Sequence, residues 1–214
     1  MSKRTLKEAF LGMKRQEAID LVEKGLRSGA DPFTILKECR QAMEEVGKRF
    51  ETGEFFLSEL IYSAEVFKAV SSILESNVTS NWPGDESKGV VVFGTPRGDV
   101  HDLGKNIVIT MMRAQGLAVH DLGVDVDPER FIEVLRETEA PILALSALIT
   151  PAFVSMRETI SLLVGEGLRK KTFVIIGGGV TTELARREVG ADAQTLDPTE
   201  AIRLCRRYIQ DRSV

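Results

Sequence analysis

Cysteine, histidine and tryptophan are scarce in this chain of 214 residues, which has two, two and one of them. Cys39 and Cys205 are too few for a disulfide framework. They lie far apart in unlike surroundings, which points to two buried free thiols in a reducing compartment. With so few histidines and no Cys–His cluster, a structural zinc site is excluded. A basic excess is missing too. The net charge of -4 and a pI near 5.4 argue against a nucleic-acid partner or an anionic membrane, since either needs a basic face. No apolar run approaches the roughly 20 residues that cross a bilayer. The opening stretch, MSKRTLKEAFLGMKRQEAID, is charged throughout and lacks the apolar core of a signal peptide. A cytoplasmic protein is expected. Hydrophobic residues at 43% and charged residues at 28% are ordinary for a globular chain with room for one large domain or two small ones.

The residues that are present follow two different periods. Over residues 1–76 the signals are helical. A short helix is expected over Leu6–Leu11. Ala18, Leu21, Val22 and Gly25 then share one helical face, which Ser28-Gly29 ends. Asp31-Pro32 supplies an N-cap followed by proline at the first helical position. Ile35, Cys39, Ala42, Met43, Val46 and Phe50 recur at three- and four-residue spacing until Gly53 breaks the pattern. Leu57, Leu60, Ile61, Ala64, Phe67 and Leu74 mark another helix. Together these make a four-helix bundle. Residues 77–88 are polar and aperiodic and are expected to be a linker.

Residues 89–214 alternate short apolar runs with amphipathic stretches of helix length. The runs are Val90–Phe93, Leu117–Leu122, Ile142–Leu148, Phe173–Ile176 and a weaker Ala191–Leu196, and one helix opens on Asp127-Pro128. Strands alternating with helices imply an α/β fold with a parallel sheet covered on both faces. Five strands in this length fit a flavodoxin-like doubly wound sheet, which binds ligands at the carboxyl ends of its strands.

The first of those strands runs into PRGDVHDLGKN, where such a sheet keeps its functional loop. A loop histidine is by default a surface residue, but three features argue for more at His101. Asp99 can accept a hydrogen bond from one ring nitrogen, leaving the other free for a metal. Gly98 and Gly104 clear side chains from the path of a flat ligand. A helix opens near Leu103 and turns free N–H groups to the same space. A phosphate loop is excluded by spacing: five residues separate Gly98 from Gly104, and Asn106 stands where Ser or Thr should hold magnesium.

The stretch Gly98-Asp99-Val100-His101-Asp102-Leu103-Gly104 resembles the Asp-x-His-x-x-Gly signature of cobalamin-binding domains. Leu145-Ser-Ala-Leu-Ile-Thr-Pro151 is similar to the family's Ser-x-Leu element, and Gly177-Gly178-Gly179 to its glycine pair. Asp121-Leu-Gly-Val-Asp125 reads like the exit of its second strand. Each element is weak alone; three in order at successive strand ends are specific. The helical half resembles the cap of methionine synthase and of corrinoid proteins in methanol, methylamine and aryl-ether methyl transfer, through the stretch Val46 to Ala64.

The resemblance implies a corrinoid protein that binds cobalamin through its cobalt, with His101 replacing the cofactor's own base. Asp99 would hold the imidazole and handle its proton. Ser146 would bond the displaced base, and Leu148 and Thr150 would line its tunnel. Gly177, Gly178 and Gly179 would let the nucleotide tail lie against bare backbone. Phe50 and Leu57 would cover the upper face as a dry lid. The role implied is carriage of a methyl group, as methylcobalamin, between corrinoid-specific methyltransferases, with a reductive activator as a further partner. The alternative is storage, delivery or sensing without methyl turnover. The chain carries no second catalytic constellation and is not expected to turn over alone. Two positions depart from the family. Ala152 replaces a Ser or Thr that extends the His–Asp relay in many relatives, and Gln194 stands near a place where relatives often carry an aromatic residue.

Overall fold

A computed structural model describes residues 5–77 and 89–212. The chain divides into two compact units, one of residues 1–86 with 113–116 and the other of residues 87–112 with 117–214.

The first unit is helical. Helix α1 (Leu6–Leu11) begins with a reciprocal cap. Thr5 Oγ1 accepts the Glu8 N–H at 3.2 Å, and the Glu8 carboxylate accepts the Thr5 N–H at 2.7 Å. Helix α2 (Arg15–Arg27) buries Ala18 and Val22 and ends at Ser28. Helix α3 (Pro32–Glu51) starts as its sequence indicates, with Asp31 accepting the N–H groups of Phe33 and Thr34 at 3.3 and 3.0 Å. Gly53, at φ 74°, turns the chain into α4 (Leu57–Ser76). Phe10, Leu36, Cys39, Met43, Ala64, Phe67, Val70 and Leu74 form the shared core. The expected four-helix bundle is present. Within it Leu57 is 50% exposed and Phe50 half-buried, so the apolar stripe of α3 and α4 outruns the bundle core at that end. Of the expected linker only Asn77 falls among the described residues; 78–88 lie outside them.

The second unit alternates strands β1 (Val90–Gly94), β2 (Ala118–Asp121), β3 (Ile142–Ser146), β4 (Phe173–Gly177) and β5 (Ala193–Gln194) with helices. These are α5 (Leu103–Ala114), α6 (Pro128–Thr138), α7 (Ala152–Gly165), α8 (Glu183–Val189) and α9 (Pro198–Arg212). All strands are parallel, in the order β2-β1-β3-β4-β5. Val92, Leu143, Leu145, Val174 and Ile176 face α6, α7 and α8, where Phe131, Leu135, Met156, Ile160 and Val189 complete the core. Their alternates Val91, Phe93, Ile142, Ala144 and Ile175 are buried on the opposite face. There Tyr208 of α9 stacks on Phe173 with ring centroids 4.8 Å apart. The doubly wound sheet is therefore covered on both sides.

Strands β2, β3 and β5 are shorter than their apolar runs, and at β3 and β5 side-chain carboxylates divert the ladder amides. β3 stops at Ser146 because the Leu148 N–H turns to Asp99 at 2.7 Å. β5 keeps only two residues, and the Asp192 carboxylate beside it accepts the Val174 N–H at 2.7 Å. Asp127 precedes Pro128 as expected, but its carboxylate makes no cap bond. It meets the Arg97 guanidinium at 3.1 Å instead.

Candidate functional site

Strands β1, β3 and β4 are neighbours, so their carboxyl ends bring the three sequence elements together. Gly94 is in register with Leu145, and Ser146 with Gly177. The loop after β1 carries Gly98 to Asp102 and enters α5 at Leu103-Gly104. The loop after β3 carries Leu148 and Thr150, and the loop after β4 carries Gly178 and Gly179. The remaining candidates, Phe50 and Leu57, belong to the helical unit, at the end of α3 and the start of α4.

Asp99 is the centre of this arrangement, wholly buried. Its Oδ1 lies 2.6 Å from His101 Nδ1 and accepts the His101 N–H at 3.1 Å. Its Oδ2 accepts the N–H of Leu148 at 2.7 Å and of Ile149 at 3.3 Å. Burial is the largest single influence on this carboxyl and would raise its pKa. The Leu148 N–H, then the His101 N–H and ring and the Ile149 N–H, together outweigh it, and the pKa falls below the ordinary 3.8. Asp99 is thus a fixed anion that accepts the Nδ1 proton. The tautomer that follows leaves a lone pair on Nε2 of a ring whose side chain is 50% exposed. With Ala152 buried at the start of α7, the chain of bonds ends at Asp99 on backbone amides.

Sequence reasoning missed several residues that hold this loop. Thr95 is buried, and its hydroxyl donates to the His101 carbonyl at 3.1 Å. Lys105, with its side chain 1% exposed, places its ammonium 2.6 Å from Asp121 and 2.9 Å from the Asn106 side-chain oxygen. Asn106 in turn donates to Asp102 at 3.2 Å. Asp125 accepts the Gly98 N–H at 2.7 Å. In the sequence Thr95 simply follows a strand, and Lys105 is one surface-type residue among many. Nothing there marks either.

Residues 89–203 match a family model described as a B12 binding domain, and residues 3–75 match a second model of the same description. The chain belongs to the B12-binding family. It is 37% identical over 197 residues to "Dimethylamine corrinoid protein 3" of Methanosarcina acetivorans, covering 91% of each chain. Among solved structures it resembles a cobalamin-binding protein from Desulfitobacterium hafniense, with 33% identity, a TM-score of 0.73 and coverage of 95% and 96% of the two chains. A methanol:cobalamin methyltransferase complex from Methanosarcina barkeri shares the fold at a TM-score of 0.84, with 24% identity over 96% of this chain and 78% of that one.

The site of this B12-binding protein fits a corrinoid in three respects. Gly104 lies in helix α5 without a positive φ, and a Cβ built there meets no atom within 4 Å, so nothing in the chain itself demands glycine and the backbone there is open to a ligand. The Ser146 hydroxyl has no hydrogen-bond partner among the described residues, while Val100, Leu103, Leu148 and Thr150 are exposed around the same strand ends. Among the described residues no group of three or more His, Cys, Asp or Glu is gathered to hold a bare metal ion. A cobalt already held by a macrocycle needs only one protein nitrogen, which His101 offers. Gln194 is turned to the chain itself, donating to the Thr181 carbonyl and hydroxyl at 3.2 Å each. No described helix is long and apolar enough to cross a membrane.

Proposed function

We propose that this corrinoid protein binds cobalamin, with His101 Nε2 as the atom that would hold its cobalt, and carries a methyl group between partner methyltransferases. The observation that carries the reading is the 2.6 Å bond between His101 Nδ1 and a buried Asp99 whose pKa is lowered. Bound cobalamin supplies a cobalt centre that accepts and releases a methyl group. The chain supplies the rest. Asp99, as a fixed anion, would keep the imidazole in one tautomer by accepting its Nδ1 proton in a hydrogen bond. Ser146 has a free hydroxyl for the cofactor's displaced base, with Leu148 and Thr150 beside it. Gly177, Gly178 and Gly179 expose backbone to the nucleotide tail. Phe50 and Leu57, apolar and incompletely buried, are assigned to the methyl-bearing face.

Residues 89–214 are taken as the cofactor domain and residues 1–76 as its helical cap, joined through 77–88. The partners are methyltransferases, by analogy with the relatives' names, and a reductive activator that restores cobalt after oxidation.

The test loads the full chain with cobalamin and records the electron paramagnetic resonance of its Co(II) form with 14N- and 15N-histidine. Superhyperfine coupling that follows the label and vanishes in His101→Ala is expected; coupling unchanged in that variant rejects the ligand. Methyl transfer to candidate methyltransferases is then measured. A loaded protein that none of them demethylates overturns the carrier reading in favour of storage or sensing.

A further inference from the structure

The loop bearing His101 does not rest on its own strand alone. Residues 123–126, beyond β2, run beside it. The Thr95 N–H donates to Gly123 O at 3.0 Å, Val126 N–H to Thr95 O at 3.0 Å, and Arg97 N–H to Val126 O at 2.8 Å. Pro96 and Val126 form a parallel bridge. At the tip of the loop the pairing passes from backbone to side chain. The Gly98 N–H donates to Asp125 Oδ1 at 2.7 Å, and the Asp125 N–H donates to the Asp99 carbonyl at 2.9 Å.

Asp125 achieves both contacts only by adopting φ 54°, in the left-handed region that non-glycine residues rarely enter. Aspartate is among the residues that tolerate it best. The conformation turns its amide and its carboxylate toward one dipeptide, Gly98-Asp99, and Gly98 is itself at φ 91°. Asp125 therefore grips the backbone on either side of the Gly98–Asp99 peptide, immediately before the residue whose carboxylate aims the imidazole. Strain maintained on an exposed loop and spent on one neighbouring peptide is the pattern expected where geometry matters to function.

We propose that Asp125 is a positioning residue for His101, setting the fraction of bound cobalamin whose cobalt carries the imidazole. The proposal rests on the reading of His101 as cobalt ligand. Asp125 acts through Gly98 and Asp99 and does not itself touch the ligand ring. Its effect should therefore fall on the occupancy of the axial bond and leave the total amount of cofactor bound unchanged.

Three variants of the full chain separate position from charge. Asp125→Gly frees the strained backbone and keeps the N–H to Asp99, but removes the acceptor for Gly98. Asp125→Glu keeps the charge and displaces the oxygen. Asp125→Asn keeps an acceptor oxygen in place and tolerates the left-handed conformation. Each is saturated with cobalamin, and the ratio of His-on to His-off Co(II) is read from the nitrogen superhyperfine coupling. A wild-type spectrum without coupling dependent on His101 would reject the ligand reading, whatever Asp125 does. Given that coupling, Asp125→Gly should lower the ratio about tenfold, the upper end of what one ordinary hydrogen bond contributes. Asp125→Glu should also lower it, Asp125→Asn should stay near wild type, and bound cobalamin at saturation should not change. A wild-type ratio in Asp125→Gly overturns the proposal, as does a fall in Asp125→Asn as deep as that in Asp125→Gly. Should Asp125→Gly fail to fold, a wild-type ratio in Asp125→Glu overturns it independently.

Discussion

The Oδ2 atom of Asp99 accepts the backbone N–H of Leu148 at 2.7 Å, so one buried carboxylate joins the loop after β1 to the loop after β3. The same group orients His101 from its other oxygen. One anion thus serves both the architecture of the sheet edge and the chemistry of the ring.

Asp99→Asn separates those roles. An amide has a single oxygen, so one side of the group must present an NH2 to the N–H donors of Leu148 and Ile149 or to His101. Denaturant unfolding at pH 7 should show a loss of about 1–3 kcal/mol, the usual cost of leaving buried donors unpaired. The folded pKa of Asp99 is depressed below 3.8. Its stabilising contribution is therefore complete above the ordinary value and is lost as pH falls through the folded one. The gap between wild type and variant should be flat from neutral pH down to about 5 and should close in stronger acid. A gap that widens on acidification would contradict this.

Gly104 and Gly178 should respond to alanine in opposite ways. A Cβ at Gly104 meets open space within an α-helix, so Gly104→Ala should gain up to about 1 kcal/mol of stability while weakening cobalamin binding. Gly178 is at φ 99°, and a Cβ there would run into the Ala147 backbone, so Gly178→Ala should destabilise the fold itself. Thermal melts of the cofactor-free proteins and cobalamin titrations distinguish the two. Gly104→Ala binding cobalamin as wild type does would remove the reason for a glycine there.

The Lys105–Asp121 pair should be asymmetric. Lys105 is 1% exposed in its side chain and Asp121 31%, so deleting Asp121 strands a buried cation, whereas deleting Lys105 leaves a carboxylate within reach of water. Asp121 Oδ1 also accepts the Gly123 N–H at 2.9 Å, a bond that Lys105→Met spares. Asp121→Ala should therefore lower the unfolding midpoint more than Lys105→Met. Equal or reversed losses would mean that the ammonium finds compensation elsewhere.

Much of this was legible in the amino-acid order. The change from a period of about four to short apolar runs separates helical from α/β halves because each period is set by backbone geometry. The Asp99, His101 and Gly104 spacing was legible because neighbours in sequence are also neighbours in space. The roles of Thr95, Asp125 and Lys105 were not, although Asp125 lies in a recognisable strand exit, since those roles depend on which loops lie side by side. Asp125 meets Gly98 across 27 positions, and that pairing exists only once β1 and β2 are aligned. The ends of β3 and β5 were overrun for a related reason. Apolar content shows how far a strand could extend, while the carboxylates of Asp99 and Asp192 decide where its amides stop pairing with the sheet.

The separations of 49 and 50 positions between Asp99 and its two amide partners also set a timetable. A ribosome adds roughly 5–20 residues each second, so the carboxylate emerges about 2–10 s before Leu148 and Ile149 exist to receive it. During that interval the histidine loop lacks its anchor to the loop after β3, and β1 has no β3 to lie against. A nascent chain stalled short of Leu148 would hold its Asp99 carboxylate without either of those two amide partners. The joint between the two loops therefore forms only once Ile149 has been made.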